Sequence, residues 1–213
     1  MRAYLCSAIS KKWFAIALVL SWVVFLLGCS SGIESSNTTS DKIPAKQEST
    51  RETVAGGGNM KLFSSAFSNN GFIPAKYARD GVAGGQNISI PLNWKGAPAG
   101  TKSFALVMVD ISARNFVHWM VVNIPSSITY IGEGASGKNM PPGSIELLNS
   151  FGTSGYGGPQ PPPGSGVHDY VTTVYALEVG QLTLPDDSSY DDFLQAIEGK
   201  VLDKASIIGK FSR

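Results

Sequence analysis

The two histidines of this 213-residue chain, His118 and His168, each stand in a stretch dense with polar and aromatic groups. Asp110-Ile111-Ser112-Ala113 leads through Phe116-Val117-His118-Trp119 to Val122-Asn123-Ile124-Pro125. Further on, Gly155-Tyr156-Gly157-Gly158-Pro159-Gln160-Pro161-Pro162 precedes His168-Asp169-Tyr170. Three chemistries are open to such residues. Imidazole and phenol groups donate hydrogen bonds to the oxygens of an anion. Two histidines and a carboxylate can hold iron or zinc, but Asp110, His118 and His168 lack any metal-binding spacing, so no metal is expected. His118 and Asp110 could act as acid and base in a hydrolase, yet no nucleophile, base and orienting group are arranged for it. No catalysis and no cofactor are therefore expected.

These residues need strands to position them. After residue 58 the apolar pattern has period two more often than three to four. Asn87 to Asn93, Lys102 to Asp110, Phe116 to Ile124 and Val167 to Val179 are rich in Val, Ile, Phe, Tyr and Thr and are separated by Gly and Pro. Alternation puts His168, Tyr170 and Thr172 on one face, and His118 with Phe116, Met120 and Val122. A lone histidine on such an apolar face is ordinarily a satisfied core residue. One helix is predicted, capped by Ser188 or Ser189 with Asp191 or Asp192 closing a capping box; Phe193, Leu194 and Ile197 form its apolar side and Gly199 stops it. The fold class is therefore mainly β, an antiparallel sandwich with a peripheral helix near the C-terminus.

The first 58 residues read differently. Arg2, Lys11 and Lys12 precede an apolar run from Trp13 to Leu27, interrupted only by Ser21, and Leu26-Leu27-Gly28-Cys29 ends it. The run is about 15 residues, short of the roughly 20 that span a bilayer, and reads as a secretory signal over residues 1–28. The Leu-Leu-Gly-Cys ending resembles the bacterial lipoprotein box, in which Cys29 is acylated and becomes the new N-terminus. Two or more acyl chains hold a protein stably on a membrane, where one is marginal. Residues 29–58 are polar and too poor in large apolar groups to order; as a coil they reach roughly 30 Å. Ser30 permits outer-membrane sorting, which places the domain in the bacterial cell envelope, facing the periplasm or the cell surface.

Cys6 leaves with the signal and Cys29 carries lipid, so no disulfide braces residues 59–213, which must hold together by their core. Loss of three basic residues with the signal leaves fourteen against sixteen acidic ones. There is no basic footprint for nucleic acid. Gly132-Glu133-Gly134-Ala135-Ser136-Gly137 mimics a dinucleotide loop, but Pro141 and Pro142 follow and forbid the helix that a pyrophosphate needs.

Taken together, the two histidine stretches resemble the signature of the phosphatidylethanolamine-binding protein family, whose bacterial branch is often called Raf kinase inhibitor-like. The resemblance spans roughly Asn59 to Arg213 and implies the same sandwich fold. It matches Asp110 to the first aspartate of an Asp-Pro-Asp-Ala-Pro loop, His118 and Trp119 to a His-Trp pair, Pro161 and Pro162 to paired prolines, and His168 and Tyr170 to a His-Arg-Tyr segment. In the family these line a small pocket for the phosphate head group of a lipid or for a simpler anion. The implied partner is thus an anionic small molecule or a phospholipid head group, with membrane attachment through Cys29. The alternative that the resemblance carries is a protein-interaction module or an inhibitor of a hydrolase or kinase, acting through the loop from Ile131 to Ser150.

The chain departs from the pattern at several points. Ile111, Ser112 and Arg114 replace Pro, Asp and Pro; Gln160 replaces a small residue; Asp169 replaces Arg; and Ser150 replaces Asp. Loss of the second aspartate and the arginine removes an ion pair that would brace the site.

Overall fold

The computed structural model describes residues 59–213; the signal, Cys29 and the tether lie outside the described residues. Nine strands and one helix follow in order: β1 (Lys61–Phe63), β2 (Gly71–Phe72), β3 (Leu92–Lys95), β4 (Ser103–Asp110), β5 (Phe116–Pro125), β6 (Tyr130–Ile131), β7 (Ile145–Glu146), β8 (His168–Leu177), α1 (Tyr190–Ile197) and β9 (Val201–Phe211). They form a six-stranded sheet in the order β2-β9-β8-β4-β5-β7 and a three-stranded sheet in the order β1-β3-β6. The pairings are antiparallel except β2 with β9.

The strand alternation explains the layers. From β4, Phe104, Leu106 and Met108 join Trp94, Leu92 and Ile131 of the small sheet in one apolar core, while Ala105, Val107 and Val109 point the other way and pack with Phe193 and Ile197 of α1. A strand in the middle of a sheet buried on both faces reads as a continuous apolar run, which is why Ser103–Asp110 is buried at every position. The helix begins where expected: Ser189 Oγ accepts from the Asp192 N–H and the Asp192 carboxylate accepts from the Ser189 N–H, a complete capping box. Leu194, expected on the apolar side, is instead exposed at 37%; its position one residue after Phe193 carries it about 100° round the helix, off the buried stripe.

One expected strand shortens, and one strand that was not expected appears. The run from Asn87 to Asn93 joins the ladder only from Leu92 onward, although Ile88 and Ile90 still pack against the core. The longest strand, β9, pairs with β8 along its whole length, from His168↔Phe211 to Leu177↔Val201. Asp203 in this strand accepts from the Met60 N–H at 3.0 Å. The described chain therefore starts beside the Ala176↔Asp203 end of the β8–β9 pair, opposite the His168↔Phe211 end.

Strict alternation also fails along β5, and this matters for the site. Register passes from Val109↔Val117 directly to Met108↔Trp119, so His118 is an extra residue bulged out of the ladder. A bulge re-aims the side chains around it. Val117, Met120 and Val122 pack on the α1 side, whereas Trp119 and Val121 pack between the sheets. His118 leaves the face of Met120 and Val122 that alternation assigned it, and packs against Tyr170 instead. A second bulge lies between Leu106↔Val121 and Phe104↔Ile124; there Asn123 takes φ 61° and its side chain bonds both backbone groups of Leu182.

Candidate functional site

Four of the expected residues converge at one end of the six-stranded sheet. Asp110 closes β4, and Tyr170 is its register partner on β8. His168 opens β8 two residues earlier, so its ring lies on the same face and stacks 6.5 Å from that of Tyr170. The bulge on β5 turns His118 edge-on to Tyr170 at 5.0 Å between ring centroids. The carboxylate, two imidazoles and phenol thus form one cluster.

Within it, hydrogen bonding divides sharply. His168 Nδ1–H donates to Asp110 Oδ2 at 2.6 Å, Asp110 Oδ1 accepts from the Ser112 N–H at 2.9 Å, and Ser165 Oγ lies 3.0 Å from His168 Nε2. Ser165 is delivered by a turn in which its N–H and hydroxyl both reach the Pro162 carbonyl. His118 Nδ1–H donates to the Gly157 carbonyl at 2.6 Å, and its Nε2 bonds no described residue. Burial pushes the His118 imidazole down to about 4, with the nearby Arg79 charge acting in the same direction and the Gly157 carbonyl and Asp110 opposing. His118 is therefore neutral at pH 7. The Tyr170 hydroxyl is buried with no hydrogen-bond partner among the described residues, and burial together with the Asp110 charge raises its pKa.

The glycines of the Gly155–Pro159 segment have a packing reason. This backbone is buried beside residues 77–79, and a Cβ on Gly158 would run into the Tyr77 carbonyl. Gly157 places its carbonyl on His118, and the Arg79 N–H donates to the Pro159 carbonyl at 3.1 Å. Arg79 then lays its guanidinium over the Phe151 ring, 3.9 Å from the centroid, while Phe151 meets His118 edge-on at 5.5 Å. Neither Arg79 nor Phe151 nor Ser165 belongs to the set expected from the sequence. Each sits in a loop with no periodicity to mark it.

The remaining expected residues fall elsewhere. Trp119 is fully buried between the sheets, where its Nε1–H donates to Glu146 Oε1 at 2.7 Å and its ring meets Tyr156. Glu146 in turn accepts from Ser136 and Gly137, so Trp119 anchors a loop rather than lining the cluster. Pro161 is buried, and Pro162 is exposed at the start of the turn that carries Ser165. Nor is the cluster the shallow open pocket expected from the sequence: Asp110, His118, His168 and Tyr170 are only 3, 3, 8 and 1% exposed. Phe151 packs on His118, and Ser165 reaches His168. An adjacent surface cleft, lined by Arg114, Val117, Met120, Ser150 and Tyr190, opens on the α1 side of β5.

The departures at the rim compensate one another. Asp169 pairs with Lys210 across the β8–β9 ladder at 2.6 Å, and the Ser112 hydroxyl accepts from the Asp169 N–H at 3.0 Å. Ser150 Oγ accepts from the Val117 N–H. The loop after Asp110 is thus tied to β8 without the ion pair of the family pattern.

Comparison with known proteins agrees with this architecture. The family model described as phosphatidylethanolamine-binding protein matches residues 63–212. A UPF0098 protein of Aquifex aeolicus is 41% identical over 161 residues, covering 75% of this chain and 92% of that protein. A Mycobacterium tuberculosis protein named as the lipoprotein LppC is 34% identical over 196 residues, covering 90% of this chain and 92% of its own length. The crystal structure of Escherichia coli YbcL superposes with a TM-score of 0.68 at 28% identity, covering 72% of this chain and 98% of YbcL.

Proposed function

The chain belongs to the phosphatidylethanolamine-binding protein family, and from that premise we propose that the cluster of Asp110, His118, His168 and Tyr170 binds the phosphate-type anion of a small molecule or a phospholipid head group, without catalysis. The observation that carries this is the Tyr170 hydroxyl, a buried donor with no partner among the described residues, on a ring that His118 meets edge-on. An unsatisfied buried donor costs about 1–3 kcal/mol, a cost that an anion oxygen would relieve. His118 then donates through Nε2 only with a second proton, which comes from the ligand or from solvent.

Titration calorimetry with inorganic phosphate and phosphoethanolamine tests the reading. His118→Ala and Tyr170→Phe should each weaken binding at least tenfold, on the order of 1.4 kcal/mol; unchanged affinity in both removes the anion site. We further propose a lipid anchor on Cys29 at the cell envelope, supported by the Leu-Leu-Gly-Cys box and by the likeness to LppC. Metabolic labelling with palmitate should mark the wild type and not Cys29→Ser. Equal labelling of the two contradicts the anchor.

A further inference from the structure

We infer that Arg79 is the charge-bearing, specificity-determining residue of this site, selecting a phosphate-type oxyanion over a singly charged carboxylate. The inference rests on the reading of the cluster as an anion site and adds to it the group that chooses among anions.

Arg79 and His118 hang from the same piece of backbone. His118 bonds the Gly157 carbonyl and Arg79 the Pro159 carbonyl, and the Gly158 N–H between them donates to Asn87 Oδ1 at 2.7 Å. With no room for a side chain at Gly158 against the Tyr77 carbonyl, the segments 77–79 and 157–159 are locked together. The backbones that carry the guanidinium and the imidazole therefore share one frame, and both side chains touch the Phe151 ring, at 3.9 Å from the guanidinium and 5.5 Å from the imidazole.

Stacking of this kind uses the face of the guanidinium and leaves its in-plane N–H fork for a planar or tetrahedral oxyanion. No described residue takes that fork. The ion pairs among the described residues are Lys76–Glu133, His168–Asp110 and Lys210–Asp169, and no carboxylate approaches Arg79. The nearest carboxylate of the cluster, Asp110, is committed to His168 and the Ser112 N–H. Arg79 also opposes a proton on His118, so an anion lying between the two would relieve repulsion on both sides. Singly charged ligands gain less from two cationic donors than a phosphate that carries up to two charges.

The test titrates the full chain with inorganic phosphate, with short-chain phosphatidylethanolamine and with acetate, in wild type, Arg79→Ala, Arg79→Lys and Tyr170→Phe, each checked for an unchanged thermal transition. Arg79→Ala should weaken phosphate or lipid binding about tenfold to a hundredfold and acetate binding by less than about threefold. Arg79→Lys should recover only part of the loss, because an ammonium lacks the fork. Whichever of phosphate and lipid binds the wild type more tightly identifies the source of the anion. Phosphate and lipid affinities in Arg79→Ala within twofold of wild type, with binding still lost in Tyr170→Phe, overturn the role of Arg79 and leave the site standing. Wild-type affinity in both variants, or a wild type that takes none of the three ligands, overturns the site as well.

Discussion

The two histidines pack against one tyrosine, with ring centroids 5.0 and 6.5 Å from its own, and yet live in opposite circumstances. On the β8 side, His168 is held by Asp110 and Ser165, and Asp110 is in turn held by the Ser112 N–H. On the β5 side, His118 has one nitrogen engaged, the Tyr170 hydroxyl has no partner, and the Arg79 fork faces no carboxylate. The difference separates two jobs within one cluster. A saturated network fixes geometry, and unsatisfied donors supply the places where a ligand atom can be received.

Breaking the saturated half should have the largest effect on folding. Asp110→Ala removes the acceptor of both His168 Nδ1–H and the Ser112 N–H at a position 3% exposed, and truncating one partner of a buried pair costs about 3–5 kcal/mol. Urea denaturation at pH 7 measures it; a loss under about 1 kcal/mol would mean that this half does not brace the site. The open half should show itself more gently, through pH. His118 ordinarily titrates at 6.5 and in the folded chain at about 4, so the unfolded chain binds the proton more readily. Stability is then intact above pH 6.5 and declines as the pH falls to about 4, by about 3 kcal/mol at 1.4 kcal/mol per pKa unit. Denaturation at pH 7 and pH 4 should reveal that decline in the wild type and its absence in His118→Gln. Parallel losses in both proteins would place the sensitivity elsewhere.

Much of this was legible in the residues. The strands β4, β5 and β8 carry long runs of branched and aromatic side chains, and the Ser189–Asp192 box announces the helix. The strand β9 hides its alternation because the inward positions of its buried half are Ala205, Ile207, Gly209 and Phe211, two of them too small to register as apolar. The bulge at His118 is invisible to any periodic rule, since one inserted residue reverses the faces that follow it. The resemblance brought Asp110, His118, His168 and Tyr170 forward as a group, but it grouped Trp119 with them, and only the packing shows that its indole serves Glu146. Arg79 gave no signal at all. Its importance comes from a stacking partner 72 positions along the chain and from a backbone contact at Pro159.

The bond between Met60 and Asp203 has a directional consequence. From Ala176, opposite Asp203, to His168 the strand advances eight residues, about 27 Å at strand rise. The described chain therefore begins at one end of the β8–β9 pair, and the histidine cluster lies at the other. A surface or partner that covered the Met60–Asp203 end would leave the histidine cluster uncovered.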